Sequence, residues 1–357
     1  MCPQANRIGN LERLIAAERV MGEGATPTDW HNLSKTLGEF APQDLYSRGK
    51  SRASSKKGED YPPNHPTRLD DYFNERRIEH SIHLVMHNKG YVPGNKQAFS
   101  QEFREYAKAA QASMNAWQEH KGPWNGYFQM AFKAYRGPNN LHHPIRAAFL
   151  LEKTLNNILE SGRTGDRLPQ LEELKTLRAR LGGNWRQFIL FVCMSHDIGK
   201  HTWPDWMSVN KKFSEKFKNA EQVAREMKSK IISKHEIRSR DIVNAMARNN
   251  EAGVFPDELF RVAADVIGSH HSAPTGNHIL LKQALKAVDM LDTATTRYAA
   301  ADNKSIPTIM REIAVRDNVQ SAIPRFVIHE LCRAIGRNDA DRIAKELMAP
   351  NGNRHAA

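Results

Sequence analysis

The chain has 357 residues, of which 40% are hydrophobic and 26% charged, the balance of a soluble globular protein large enough to bury one large core or two ordinary ones. Fifty-two Lys and Arg against forty Asp and Glu give a formal charge of +12, a field that favours polyanions over cationic partners. The longest apolar run, Phe188 to Met194, is too short to cross a membrane, and the first ten residues, MCPQANRIGN, lack the apolar stretch of a signal peptide. A secreted or membrane-spanning protein is therefore not expected. Three scattered cysteines, Cys2, Cys193 and Cys332, make neither a disulfide framework nor a cysteine-based zinc site, and a reducing cytoplasm is the expected compartment.

Taken in chain order, the periodicity predicts helices over 8–22, 27–38 and 69–88. Between them, residues 47–67 are rich in Ser, Gly, Pro, Lys and Arg, with Tyr61-Pro62-Pro63 opposing regular structure, and read as a basic flexible linker. Phe99, Phe103, Tyr106, Ala110, Met114 and Trp117 recur in steps of three or four and place one apolar face on a further helix. Gly122-Pro123-Trp124-Asn125-Gly126 is the boundary candidate. No run of strands is visible, and the fold class expected is all-α. Residues 1–130 carry 17 basic and 15 acidic side chains, leaving 35 and 25 for residues 131–357, so the cationic excess lies in the second part. Residues 200–240 alone hold eleven basic and five acidic side chains. That segment is either a solvated face or a surface for an anionic partner.

The apolar helix segment Phe188–Met194 runs into Ser195-His196-Asp197-Ile198-Gly199-Lys200. Adjacent His and Asp at the end of a buried helix offer a nitrogen and a hard carboxylate oxygen to a divalent cation. Four further elements carry the same chemistry in order: Leu141-His142-His143-Pro144-Ile145-Arg146, Lys234-His235-Glu236, Ser269-His270-His271, and Asp289-Met290-Leu291-Asp292. Singly, each has a bland alternative as a helix cap, a surface pair, a polar loop or a solvated carboxylate. His142 competes with His143, and Asp292 with Asp289.

The ordered set resembles the signature of the HD-domain metal-dependent phosphohydrolases, and the resemblance covers roughly residues 130–300. It implies an HD-domain helical core at 126–300, an additional N-terminal helical region at 1–125, and a C-terminal helical extension at 301–357 packed on the core. It implies seven metal ligands: His143, His196, Asp197 and Asp289 on one ion, and Asp197, His235, His270 and His271 on the other, with Asp197 bridging. The cofactors implied are two divalent ions, Mn2+ or Fe2+ foremost, with Mg2+, Ni2+ or Co2+ as alternatives. Two cations would bind a phosphoryl group and lower the pKa of a shared water for in-line attack. Asp197 and Lys200 are the catalytic candidates, and Arg146, Lys200 and Arg297 the candidates for holding substrate phosphate.

Within the superfamily, the Gly-Tyr-Pro string of cyclic-di-GMP phosphodiesterases is absent after His270-His271, as is the Phe-Gly-His element of dNTP triphosphohydrolases after Lys200. The chain is similar to the ribonuclease Y type in His-Asp-Ile-Gly-Lys and a trailing Arg297. It is similar to HD-type conjugative relaxases in His142-His143, Leu150-Leu151-Glu152, Thr154-Leu155 and the long insert containing Trp203-Pro204 and Trp206. Where that branch has a His before Thr-Leu, this chain has Lys153. The function expected is a metal-dependent phosphodiesterase or nuclease acting on a nucleic acid or nucleotide, without a membrane. The competing expectation is an HD protein that binds nucleic acid within a conjugation or phage assembly without turning it over.

Overall fold

The computed structural model describes residues 69–87, 96–120, 123–135, 142–161, 169–202, 235–248, 254–296 apart from 273, 322–336, 340 and 342–343. The helices expected at 8–22 and 27–38, the linker at 47–67, Arg297 and most of the basic segment 200–240 lie outside these residues. The chain divides into two compact units, one of Met1–His65 and Lys200–His235, the other of Pro66–Gly199 and Glu236–Ala357. In the first unit, residues 200–202 and 235 are described.

The second unit is all-α; among the described residues there is no strand. Its described helices are α1 (Leu69–Tyr72), α2 (Glu75–His87), α3 (Lys96–Glu119), α4 (Pro123–Ala134), α5 (His143–Glu160), α6 (Pro169–Leu181), α7 (Trp185–Ser195), α8 (His235–Arg248, entering the unit at Glu236), α9 (Asp257–Ile267), α10 (Ile279–Thr296) and α11 (Ala322–Ala334). No described helix is long and apolar enough to cross a membrane.

The helix expected over 69–88 is interrupted. Asn74 ends α1 and starts α2, its side-chain oxygen accepting from Arg76 N at 3.0 Å, the service an N-cap performs for backbone donors that have no helical partner. The α3 periodicity is observed as read: Phe99, Phe103, Tyr106, Ala110, Met114 and Trp117 are all buried.

The centre of the unit is α5, which packs against α7, α10, α11, α3 and α6, with α11 also on α10. Pro144 opens α5 inside its first turn, where a missing backbone donor costs nothing. Helix α7 is buried from Phe188 through Ser195, as a continuously apolar segment requires. An aromatic cluster ties α7 to its neighbours: Phe191 meets Trp124 at 5.8 Å, Trp117 at 6.2 Å, Phe255 at 5.7 Å and Phe260 at 5.2 Å between ring centroids. Helices α3 and α4 thus share one core with the helices that carry the His and Asp motifs.

Candidate metal centre

Three helix ends and one helix interior bring the donors together. His143 is the first residue of α5, and His196 and Asp197 follow the last residue of α7. Asp289 lies within α10, and His270 and His271 follow α9. His143 Nε2 lies 3.1 Å from His196 Nε2, 3.0 Å from Asp289 Oδ1 and 3.9 Å from Asp197 Oδ2. His196 Nε2 is 3.5 Å from Asp197 Oδ2 and 3.6 Å from Asp289 Oδ1. The other oxygen of Asp197, Oδ1, is 3.9 Å from His270 Nε2. His143, His196, Asp197 and Asp289 are all buried, and their ligand atoms lie within 4.8 Å of one another. Asp197, His270 and His271 are likewise within that limit, with His271 the exposed member. His235 is the buried first residue of α8 and precedes Glu236 directly.

The outer nitrogen of each buried imidazole is fixed. His196 Nδ1 donates to Cys193 O and His270 Nδ1 to Ile267 O, both at 2.6 Å. His143 Nδ1 donates to Asp292 Oδ2, also at 2.6 Å. With the proton on Nδ1, Nε2 of the neutral ring is a lone-pair donor. Three such lone pairs and two carboxylates therefore converge on one buried volume. Without a cation this arrangement is repulsive. Spacings near 3 Å between donors also match the edge of a coordination polyhedron, about 3.0 to 3.4 Å for bonds of ~2.1 Å. Nitrogen and carboxylate oxygen together suit a borderline divalent ion.

The surroundings support the donors. Burial works against the Asp289 carboxylate, and only positive charge on its His143 and His196 side holds the group well below the usual carboxylate range; with both rings neutral, a cation would have to supply that charge. Burial likewise works against the Asp292 carboxylate, and Arg146 and His143 overcome it, keeping Asp292 ionised. Glu236 is held above its ordinary value by burial, although His271 N at 2.9 Å and the Ser272 hydroxyl at 3.3 Å donate to it. Ser239 Oγ accepts from Gly199 N at 2.9 Å, tying α8 to the turn after Asp197. Tyr135 OH accepts from Asp197 N at 3.3 Å and lies 3.5 Å from His196 Nδ1. Burial pushes the Cys193 thiol well above its usual range, so no thiolate competes here for a cation.

Several sequence readings change at this point. His142, the rival first ligand, turns away: Nε2 donates to Tyr72 O at 2.6 Å, and burial lowers its pKa to about 4, leaving a neutral ring packed against Tyr72 and Phe73. Arg146, read as a phosphate-binding group, is 3% exposed and spends its guanidinium on Asp292 (Nε to Oδ1 2.7 Å, Nη2 to Oδ2 2.9 Å), Ser81 Oγ (2.7 Å) and Thr296 Oγ1 (3.3 Å). A guanidinium so committed positions other groups. Asp292, weighed as a rival of Asp289, sits behind His143 instead. Lys153 pairs with Glu102 and lies 5.4 Å from the Phe149 ring. Lys200 lies in the single turn Ile198–Thr202 and is partly exposed. Tyr135, Ser81, Ser239 and Glu236 were given no role by the sequence. The matching i, i+3 spacings of His143 with Arg146 and Asp289 with Asp292 could have paired the last two.

Compared with known families, residues 166–324 match the family model described as Cas3, HD domain. The chain carries an HD domain. His196, Asp197, His235, His270, His271 and Asp289 fall inside the matched residues of this HD domain, whereas His143 and the whole of α5 precede them. Neither a curated protein nor a solved structure matches the chain. HD domains bind divalent metals and form a superfamily of metal-dependent hydrolases.

Proposed function

We propose that this protein is a metal-dependent nuclease that hydrolyses phosphodiester bonds of a nucleic acid at the His–Asp cluster. The observation that carries the reading is the buried convergence of His143, His196, Asp197 and Asp289 from three helices. These four would hold one cation. Asp197, His270 and His271 would hold a second. Asp197 turns one oxygen to each set, so a single side chain serves both. Mn2+ or Fe2+ suits the mixed nitrogen and oxygen donors. Divalent ions held there would supply Lewis acidity toward a phosphoryl oxygen and lower the pKa of water to near neutrality.

The chain's own residues do the remainder. Asp292, Cys193 O and Ile267 O keep the three imidazoles in one tautomer. Buried α5 and α7 exclude water from the inner face of the cluster. His271, exposed, marks the side from which substrate reaches it. Lys200, three residues after Asp197, carries a cation suited to neutralising a phosphate oxygen. The eleven basic against five acidic side chains of residues 200–240 favour a polymeric anion over a small nucleotide.

Metal-stripped protein reloaded with Mn2+ or Fe2+ and offered single-stranded DNA, RNA, cyclic dinucleotides and dNTPs tests the reading. Cleavage of an oligonucleotide only after reloading is expected. Turnover confined to dNTPs or cyclic dinucleotides would replace the nucleic-acid substrate, and no turnover of any of them would overturn the reading.

A further inference from the structure

The three buried imidazoles are oriented by two different devices, and the difference follows from where each sits on its helix. His196 and His270 lie at helix C-termini, where the carbonyl three residues back is within reach of Nδ1, at Cys193 and Ile267. His143 begins α5. A helix N-terminus presents donors, not carbonyls, so no backbone acceptor of its own helix can take its Nδ1 proton. Asp292 Oδ2, one turn beyond Asp289 on α10, takes it at 2.6 Å. Arg146, one turn beyond His143 on α5, grips both oxygens of Asp292. Its third contact, Nη1 to Ser81 Oγ at 2.7 Å, reaches α2.

We infer that Asp292 and Arg146 form a positioning pair that fixes the ring of His143 for cation binding, with Ser81 extending the device to α2. The inference rests on the reading of His143 as a ligand. It adds that one donor of the centre depends on residues outside the matched 166–324 segment, Ser81 and Arg146 among them. The two helices form two layers: His143 and Asp289 meet at 3.0 Å in the first, and in the second Asp292, gripped by Arg146, locks His143 from one turn away. A ligating histidine whose outer nitrogen meets a carboxylate is also more basic, and loss of such a partner typically costs 10- to 100-fold in metal affinity.

The test is a Co2+ titration of the metal-free full-length protein, read by visible absorption, beside the thermal midpoint of each variant. Wild-type protein that binds no Co2+ would defeat the metal-centre reading itself, before positioning is at issue. Given wild-type binding, Asp292→Asn should weaken Co2+ by about 10- to 100-fold and alter its absorption bands. The double variant Asp292→Asn with Arg146→Gln removes both charges together, so no buried charge is stranded; it should fold and show the same weakening. Arg146→Lys should bind more tightly than Arg146→Gln, because a point charge still neutralises Asp292 without the bidentate fork. Ser81→Ala leaves both charges in place, folds irrespective of the others, and should weaken Co2+ by a few fold with its bands shifted in the same direction. Wild-type affinity and spectrum in Asp292→Asn and Ser81→Ala would overturn the inference.

Discussion

His142 and His143 are neighbours in the chain, yet the start of α5 turns one toward Tyr72 and the other toward Asp289 and His196. Their chemistry divides accordingly. His142 is buried as a neutral donor whose folded pKa, about 4, lies below its ordinary 6.5. The folded state therefore binds fewer protons than the unfolded chain between those values, so this contribution is present above pH 6.5 and is lost as pH falls toward 4. It amounts to roughly 3 kcal/mol at most. Thermal midpoints of wild type and His142→Phe between pH 7 and 4 check this: the wild type should lose stability over the window, and the variant should lose less. Under the proposed function Lys200 would act in turnover and not in stability. Lys200→Ala should retain both metals by elemental analysis while hydrolysis falls by ~10²-fold, the scale of a lost charge-stabilising donor.

At the scale of the elements, the loop that carries His270 and His271 is pinned by buried lysines of α10. Lys282 Nζ donates to Asp265 and to Thr275 O, each at 2.9 Å, and Lys286 Nζ donates to Ser272 O at 3.2 Å. The aromatic cluster joins α3 and α4 to α7, and Trp117→Ala should cost ~3 to 5 kcal/mol by denaturant unfolding, although Trp117 lies outside the matched segment. Among the described residues, α3 and α7 were legible in the sequence, one from its apolar stripe and the other from its apolar run. The α3 stripe and the α7 apolar run stand in the structure where the periodicity places them, and the ordered His and Asp motifs marked the cluster. What was not legible depends on long-range pairing: Asp292 and Arg146 are 146 residues apart, and their bond follows from the crossing of α5 and α10. Local spacing could not choose between Asp289 and Asp292, because both lie on the same face of α10. The break at Asn74 was missed because the apolar pattern carries through it, and only the cap decides.

At the scale of the whole chain, charge and chemistry coincide in sequence: the basic residues 200–240 stand between the Asp197 and Asp289 motifs. If this segment guides a nucleic acid, neutralising Lys211, Lys212, Lys216 and Lys218 together should weaken oligonucleotide binding and flatten its salt dependence, because a phosphate that no lysine neutralises keeps its condensed counterion. Hydrolysis of a small phosphodiester should be unchanged. An unaltered salt slope in the quadruple variant would assign those residues to a solvated face. Residues 166–324 expressed alone would lack α3, α4 and α5, and circular dichroism should show no cooperative unfolding transition. The central claim is that the buried His–Asp cluster is a divalent metal centre, and calorimetric titration of metal-free wild type and Asp197→Ala with Mn2+ tests it most directly. Saturable binding by the wild type, abolished in a folded Asp197→Ala that has lost the carboxylate both donor sets share, is the expected result. Absence of binding by the wild type, or equal binding by Asp197→Ala, would contradict it.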